Sequence, residues 1–302
     1  MALNPQTEAE WTQSYKENPS RVGFLDLPRE LRDLIYDFSL RISGAIFIYS
    51  SDPSRVRPVI RAKIIRNKNE GPSEPRPIES AIPIALLRTC RQVHAECCGV
   101  LYGNNSFRLY MSDAPFAPFY QALVRHVIFT SDADHRIYGD DLETVGYWWR
   151  KRYWPDVIAK STKLLERFPG VETLTFPIQL NRNGQTWRPA FLASDQKTRE
   201  QRVVLAASWM AAKCPFENER LRQCLHLEIM PASGLSKEAF EASRFSPEDE
   251  WDCTEFSEAF EQMKKVSSVS VPPPTNDHIM SSVGFGLSQL ATTIYAIQKA
   301  GQ

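Results

Sequence analysis

Cys90, His94, Cys97 and Cys98 follow one another at the spacing C-x3-H-x2-C-C. Thiolate and imidazole are the ligands zinc prefers, and on a helix all four fall on one face. Four ligands projecting from one straight helix cannot surround a tetrahedral ion. The remainder of a site would have to come from Cys214 or Cys224, which lack short-spaced partners. The same face carries Leu86, Leu87, Val93 and Leu101. Buried free cysteine is ordinary core material, so the face reads as core, and no metal or cofactor is expected.

Other stretches invite a functional reading and have a plainer one. "GYWWRKRYW" (146–154) sets three of the chain's seven tryptophans beside Arg150, Lys151 and Arg152. That mixture suits stacking on bases or a protein hot spot. A helix-to-helix corner with tryptophan in the core and arginine over a ring explains it too. If the stretch binds anything, a protein partner on Trp148, Trp149 and Arg152 is expected. Arg55, Arg57, Arg61, Lys63, Arg66 and Lys68 form a basic run without an acid. It could touch phosphate or act as an import signal, and it reads as the solvated face of a hairpin. "DADH" and "YGDD" (132–141) gather acids near His135 and read as an acidic surface loop. The chain has no phosphate-cradling glycine loop, no GxSxG elbow and no HExxH. His94, His126, His135, His226 and His278 are scattered. Catalysis is not expected.

The elements that position these residues follow from periodicity. Residues 1–22 read as a polar arm with a short helix near 8–16. Leu27, Leu31, Leu34, Ile35 and Phe38 fall at helical spacing and make one apolar face. Pro28 suits the first helical position, and Asp26 and Glu30 complement the helix dipole. "AIFIYS" (45–50) and "RVRPVIRAKIIR" (55–66) read as a strand pair, and residues 67–80 as a Pro-rich mobile loop. A helix is predicted from Pro83 to Tyr102, with Arg88, Arg91, Gln92 and Glu96 on its polar side. Strands follow at 106–111, 126–131, 172–178 and 224–229. Helices precede the last three, near 116–124, 155–168 and 196–213. This order implies parallel strands joined by helices and, when such units stack, a solenoid-like sheet. The tail reads as helices near 247–265 and 279–299.

Hydrophobic content of 42% supports a substantial core. Lysine plus arginine and aspartate plus glutamate both number 36. A nucleic-acid role is therefore not expected. The polar start carries no secretory signature, and no apolar run is long enough to span a bilayer. The six cysteines lack the spacing of a disulfide framework. A reducing compartment, cytoplasmic or nuclear, is expected.

Two segments taken together carry a resemblance. "FLDLPRELRDLIYDFSL" resembles the first helix of an F-box. "ALLRTCRQVHAECCGVLYGNNSFRLY" resembles the segment that follows it in a large fungal group of F-box-like proteins. The matching positions are Leu87, Arg88, Cys90, Arg91 and Gln92, then Leu101, Tyr102, Asn105 and Phe107. The resemblance implies an F-box-like unit over 23–112 with an inserted hairpin. Irregular leucine-rich-repeat-like helix–strand units over 113–302 would complete an α/β or α+β fold. It also implies docking on the Skp adaptor of a cullin–RING ubiquitin ligase through Leu27, Pro28, Leu31 and Ile35. The expected function is a non-enzymatic protein-interaction module, in its most concrete form a ligase substrate receptor. The alternatives are a scaffold without adaptor binding and an enzyme without a recognisable motif. A receptor should expose Leu27, Leu31 and Ile35. A scaffold should bury them against the helix at 83–102. An enzyme should show a deep pocket with convergent polar groups, around His135 or Trp148.

Overall fold

The computed structural model describes residues 22–50, 60–65, 76–109, 116–130, 141–179, 197–230 and 253–266. The expected helices near 8–16 and 279–299, His135 and His278 lie outside these, as do all of residues 132–141 except Asp141.

Seven strands form one mixed sheet. They are β1 (Ala45–Ser50), β2 (Ile60–Ile65), β3 (Arg76–Pro77), β4 (Ser106–Leu109), β5 (His126–Phe129), β6 (Thr173–Gln179) and β7 (Leu225–Met230). Their order is β3-β2-β1-β4-β5-β6-β7. The first three are antiparallel. From β1 onward each strand is parallel to the next. The fold is thus mixed α/β, with strands that advance one place at a time. The sheet runs without a break across the boundary expected at 112–113, which falls between neighbouring strands.

Side chains alternate between the faces of a sheet, and register assigns them. Ile46, Phe107, Val127, Leu174 and Leu225 share one face, and the next layer holds Leu109, Phe129, Phe176 and Leu227. All of these are buried. The main helices pack there: α1 (Arg29–Leu40), α2 (Arg91–Gly103), α5 (Trp154–Arg167), α6 (Arg199–Lys213) and α8 (Cys253–Val266) share one hydrophobic core with this face. Helices on one side are what repeated right-handed crossovers in one direction produce. The shorter helices are α3 (Pro118–Gln121), α4 (Leu142–Trp148) and α7 (Glu219–Cys224).

Local chemistry sets the helix ends. Asp141 accepts from Thr144 N at 2.9 Å, and Asn218 accepts from Arg220 N and Leu221 N. Thr198 and Gln201 form a reciprocal capping box at the start of α6. Gly44 has φ 106, which only glycine adopts freely, and it turns the chain from α1 into β1.

Several expectations are corrected. The helix predicted from Pro83 begins at Arg91, because Cys90 is extended and caps it, its sulfur accepting from Val93 N. Leu86–Arg88 form a separate 3-10 turn. Pro28 is the capping residue of α1 rather than its first helical one. The loop expected at 67–80 ends in structure: Arg76 and Pro77 pair with β2, and Ile78–Ser80 form a turn. The helix expected at 116–124 is only α3.

The aromatic run is no corner. α4 and α5 are joined by a π-helical turn, Trp149–Tyr153. In an uninterrupted α-helix, residues five apart differ by about 140°. The wider turn lets Trp149, Tyr153 and Trp154 all enter the core. Trp149 meets Trp209 and Phe256 edge-on at 5.4 and 5.9 Å. Trp154 donates its indole N–H to Pro215 O at 2.8 Å. No described helix is long and apolar enough to cross a membrane.

Candidate docking surface

α1 carries two stripes, and the apolar one faces water. Leu31, Leu34, Ile35 and Phe38 follow the i, i+3, i+4, i+7 spacing of a single face. They are 47%, 66%, 40% and 92% exposed. Leu25 and Val22 in the lead-in turn are exposed too, as is Pro28, while Leu27 is half-buried. An apolar stripe on a surface helix normally turns inward. Here the inward side is Arg32, Tyr36 and Leu40.

One carboxylate explains the reversal. Arg32 Nε and Nη2 donate to the two oxygens of Glu96 at 3.0 and 2.9 Å. Its Nη1 donates to the carbonyls of Leu25 and Leu27 at 3.1 and 2.6 Å. Tyr36 donates its hydroxyl to Glu96 at 2.8 Å, and Gln92 donates its amide at 3.1 Å. Arg29 adds a second cation at 3.2 Å. A buried charge is tolerated only when paired and hydrogen-bonded, and Glu96 meets both conditions. The Arg32 guanidinium holds its carboxyl down to about 2 in spite of burial, with help from Gln92 and Tyr36. Burial, and then Glu96, push the Tyr36 hydroxyl well above its usual range.

Asn105 fastens the other end. Its side chain accepts from Ile42 N and donates to Leu40 O and Leu101 O, each at 2.9 Å. Those bonds join the ends of α1 and α2 to the start of β1. Phe24 packs edge-on against Tyr36 at 5.7 Å. The rotation of α1 is therefore set by polar contacts on its inner side, and the apolar stripe is left outside.

The remaining candidates are accounted for. Cys97 and Cys98 are buried, and burial pushes the Cys97 thiol up to about 11. Cys90 lies before the helix and is exposed. The His94 ring sits between Leu87 O at 2.8 Å and the Tyr120 hydroxyl at 3.0 Å. No group of three or more metal-ligating side chains forms among the described residues. Of the residues expected to meet a partner at 148–152, Trp148 and Arg152 reach the surface. Trp149 does not: it is fully buried and belongs to the core. Glu96, expected on the outer side of its helix, is buried. Leu34 and Phe38 were legible as members of the apolar stripe, but not as its most exposed part.

A cleft of about 420 Å³ opens where the β1–β2 pair meets α2 and α3. Ile46, Ile48, Tyr102, Phe107, Phe116 and Tyr120 are among its walls, and no carboxylate or histidine lines it.

Residues 16–222 match a domain of unknown function, DUF7730. The chain belongs to the DUF7730 family. The match takes in α1, α2 and the sheet through β6, so the anchored helix and its ion pair lie within the DUF7730 domain. β7 and α8 lie beyond it. No curated protein and no solved structure matches the chain.

Proposed function

We propose that this DUF7730 protein is a non-enzymatic protein-interaction module whose α1 stripe docks on a partner. In its most concrete form it is a substrate receptor that meets the Skp adaptor of a cullin–RING ubiquitin ligase. The observation that carries the reading is the outward stripe of Leu31, Leu34, Ile35 and Phe38 on a helix held rigidly from behind. Contiguous exposed apolar surface marks interaction sites, and a stripe at this spacing is how a helix fills a groove. The resemblance of "LPRELRDLIY" to the first F-box helix names the adaptor; of the four residues it implicates, Pro28, Leu31 and Ile35 are exposed and Leu27 is half-buried. The lining of the 420 Å³ cleft, apolar apart from Arg61 and the tyrosine hydroxyls, also favours binding over catalysis.

The test is an equilibrium binding measurement with purified Skp adaptor. It compares the wild type with Leu31→Asp, Phe38→Asp after circular dichroism shows both folded. Binding that the double variant loses supports the receptor. No binding by folded wild type overturns it and leaves a scaffold with another partner.

A further inference from the structure

The sheet face away from the helices carries a second surface. Register sets Lys63, Phe47, Arg108, Ile128, Thr175 and His226 in one row across six strands. At its β2–β1–β4 end the side chains form a compact group. Phe47 and Tyr49 stack, with centroids 5.5 Å apart and planes 13° from parallel. Lys63 Nζ lies over both rings, at 5.5 and 4.9 Å from their centroids. Arg108 approaches the Phe47 ring at 6.0 Å. Arg61, paired with Tyr49 across the strands, adds a third cation.

No carboxylate pairs directly with this group among the described residues: none of Arg61, Lys63 and Arg108 forms an ion pair. Arg108 Nε is buried without a hydrogen-bond partner. Burial pushes the Arg108 pKa down, which the field of Glu228 only partly opposes. Desolvated guanidinium groups are normally matched by carboxylates, often in a two-point fork. The face is built to receive negative charge.

We propose that the platform of Phe47, Tyr49, Arg61, Lys63 and Arg108 binds an acidic segment of a partner protein. Carboxylates from that segment pair with the Arg108, Lys63 and Arg61 side chains, while its apolar stems lie along the rings. Nucleic acid fits less well. Bases need free aromatic faces, and here Lys63 covers them. The chain also has no net basic charge. This surface is distinct from the α1 stripe, so one chain can hold two partners at once.

The experiment is fluorescence anisotropy on the full chain with a fluorescein-labelled peptide of alternating glutamate and serine. A lysine–serine peptide and an oligodeoxythymidine serve as comparators. The acidic peptide should bind, weaken with added salt, and lose at least about tenfold in affinity with Arg108→Gln and with Lys63→Glu. If Arg108→Gln fails to fold, Lys63→Glu on β2 decides alone. No binding by wild type, affinity retained in the folded variants, or tighter binding of the oligonucleotide each overturns the proposal. The chain's own acidic stretch "PEDEWD" (247–252) is the remaining occupant. Neutralising Glu248, Asp249 and Glu250 should leave the affinity unchanged. A rise of about tenfold or more would assign the platform to that stretch and overturn the external partner.

Discussion

Arg32 and Glu96 meet in a two-point ion pair, Nε to Oε2 at 3.0 Å and Nη2 to Oε1 at 2.9 Å, across a separation of 64 residues. The remaining arm of Arg32 holds the carbonyls of Leu25 and Leu27. A single guanidinium thus joins the lead-in turn, α1 and α2. The outward stripe of α1 depends on it.

Acid should loosen this junction. The Glu96 carboxyl is held at about 2 by Arg32, against 4.5 for a free glutamate. A depressed carboxyl contributes stability that is fully present above the unfolded value and is lost as pH falls through the folded one. The gap in melting temperature between wild type and Glu96→Gln should be widest above pH 4.5 and shrink toward pH 2. Thermal melts across that window check it.

The two stripes of α1 should respond oppositely to substitution. Leu34→Asp and Phe38→Asp alter exposed side chains, so stability should move by no more than about 0.5 kcal/mol. Tyr36→Phe removes a buried hydroxyl bonded to a charge and should cost about 1–3 kcal/mol. Denaturant titrations of the three variants separate the outcomes. A large loss in Phe38→Asp would mean the stripe is covered in solution.

Asn105→Ala deletes three hydrogen bonds at once, two of them buried. It leaves Leu40 O and Leu101 O without that donor and Ile42 N without that acceptor. A loss of about 1–3 kcal/mol is expected. Hydrogen exchange should show the amides at the end of α1 and the start of β1 losing protection first.

Adjacent tryptophans should behave differently. Trp149→Ala empties a fully buried site walled by Trp209 and Phe256 and should cost about 3–5 kcal/mol. Trp148→Ala, at a half-buried site, should cost less. Denaturant midpoints read by circular dichroism compare them.

Thiol labelling gives an independent check on the core. Cys90 is exposed, whereas Cys97, Cys98, Cys214 and Cys224 are buried. Burial pushes all four buried thiols up, and the thiolate is the reactive form. Maleimide on native protein followed by peptide mapping should label Cys90 well before those four.

Much of the architecture was legible in short-range patterns. The strands at 45–50, 106–109, 126–129, 173–179 and 225–230 fall where apolar alternation and runs placed them. The parallel order from 106 onward followed from the helices between those strands, since a parallel neighbour requires a crossover; the parallel pairing of 45–50 with 106–109 did not. The helix ends were less legible. Cys90 looks like one more member of an apolar face, and only its extended backbone shows that it is a cap. The π turn at Trp149–Tyr153 leaves no periodic trace, because it breaks the period used to find helices.

The sequence by itself determined which residues of α1 share a face, because helical spacing is a property of the backbone. It could not say which face turns inward. Leu31, Leu34, Ile35 and Phe38 form the better apolar stripe, yet Arg32, Tyr36 and Leu40 are the buried one. That choice was made by Glu96 and Asn105, which come from the far side of the β1–β2 pair in the chain. Burying Arg32 is tolerable only where several acceptors converge on it, and only the tertiary structure brings them together. The same holds for the platform on the open face, where strand register alone sets Lys63 over Phe47 and Tyr49.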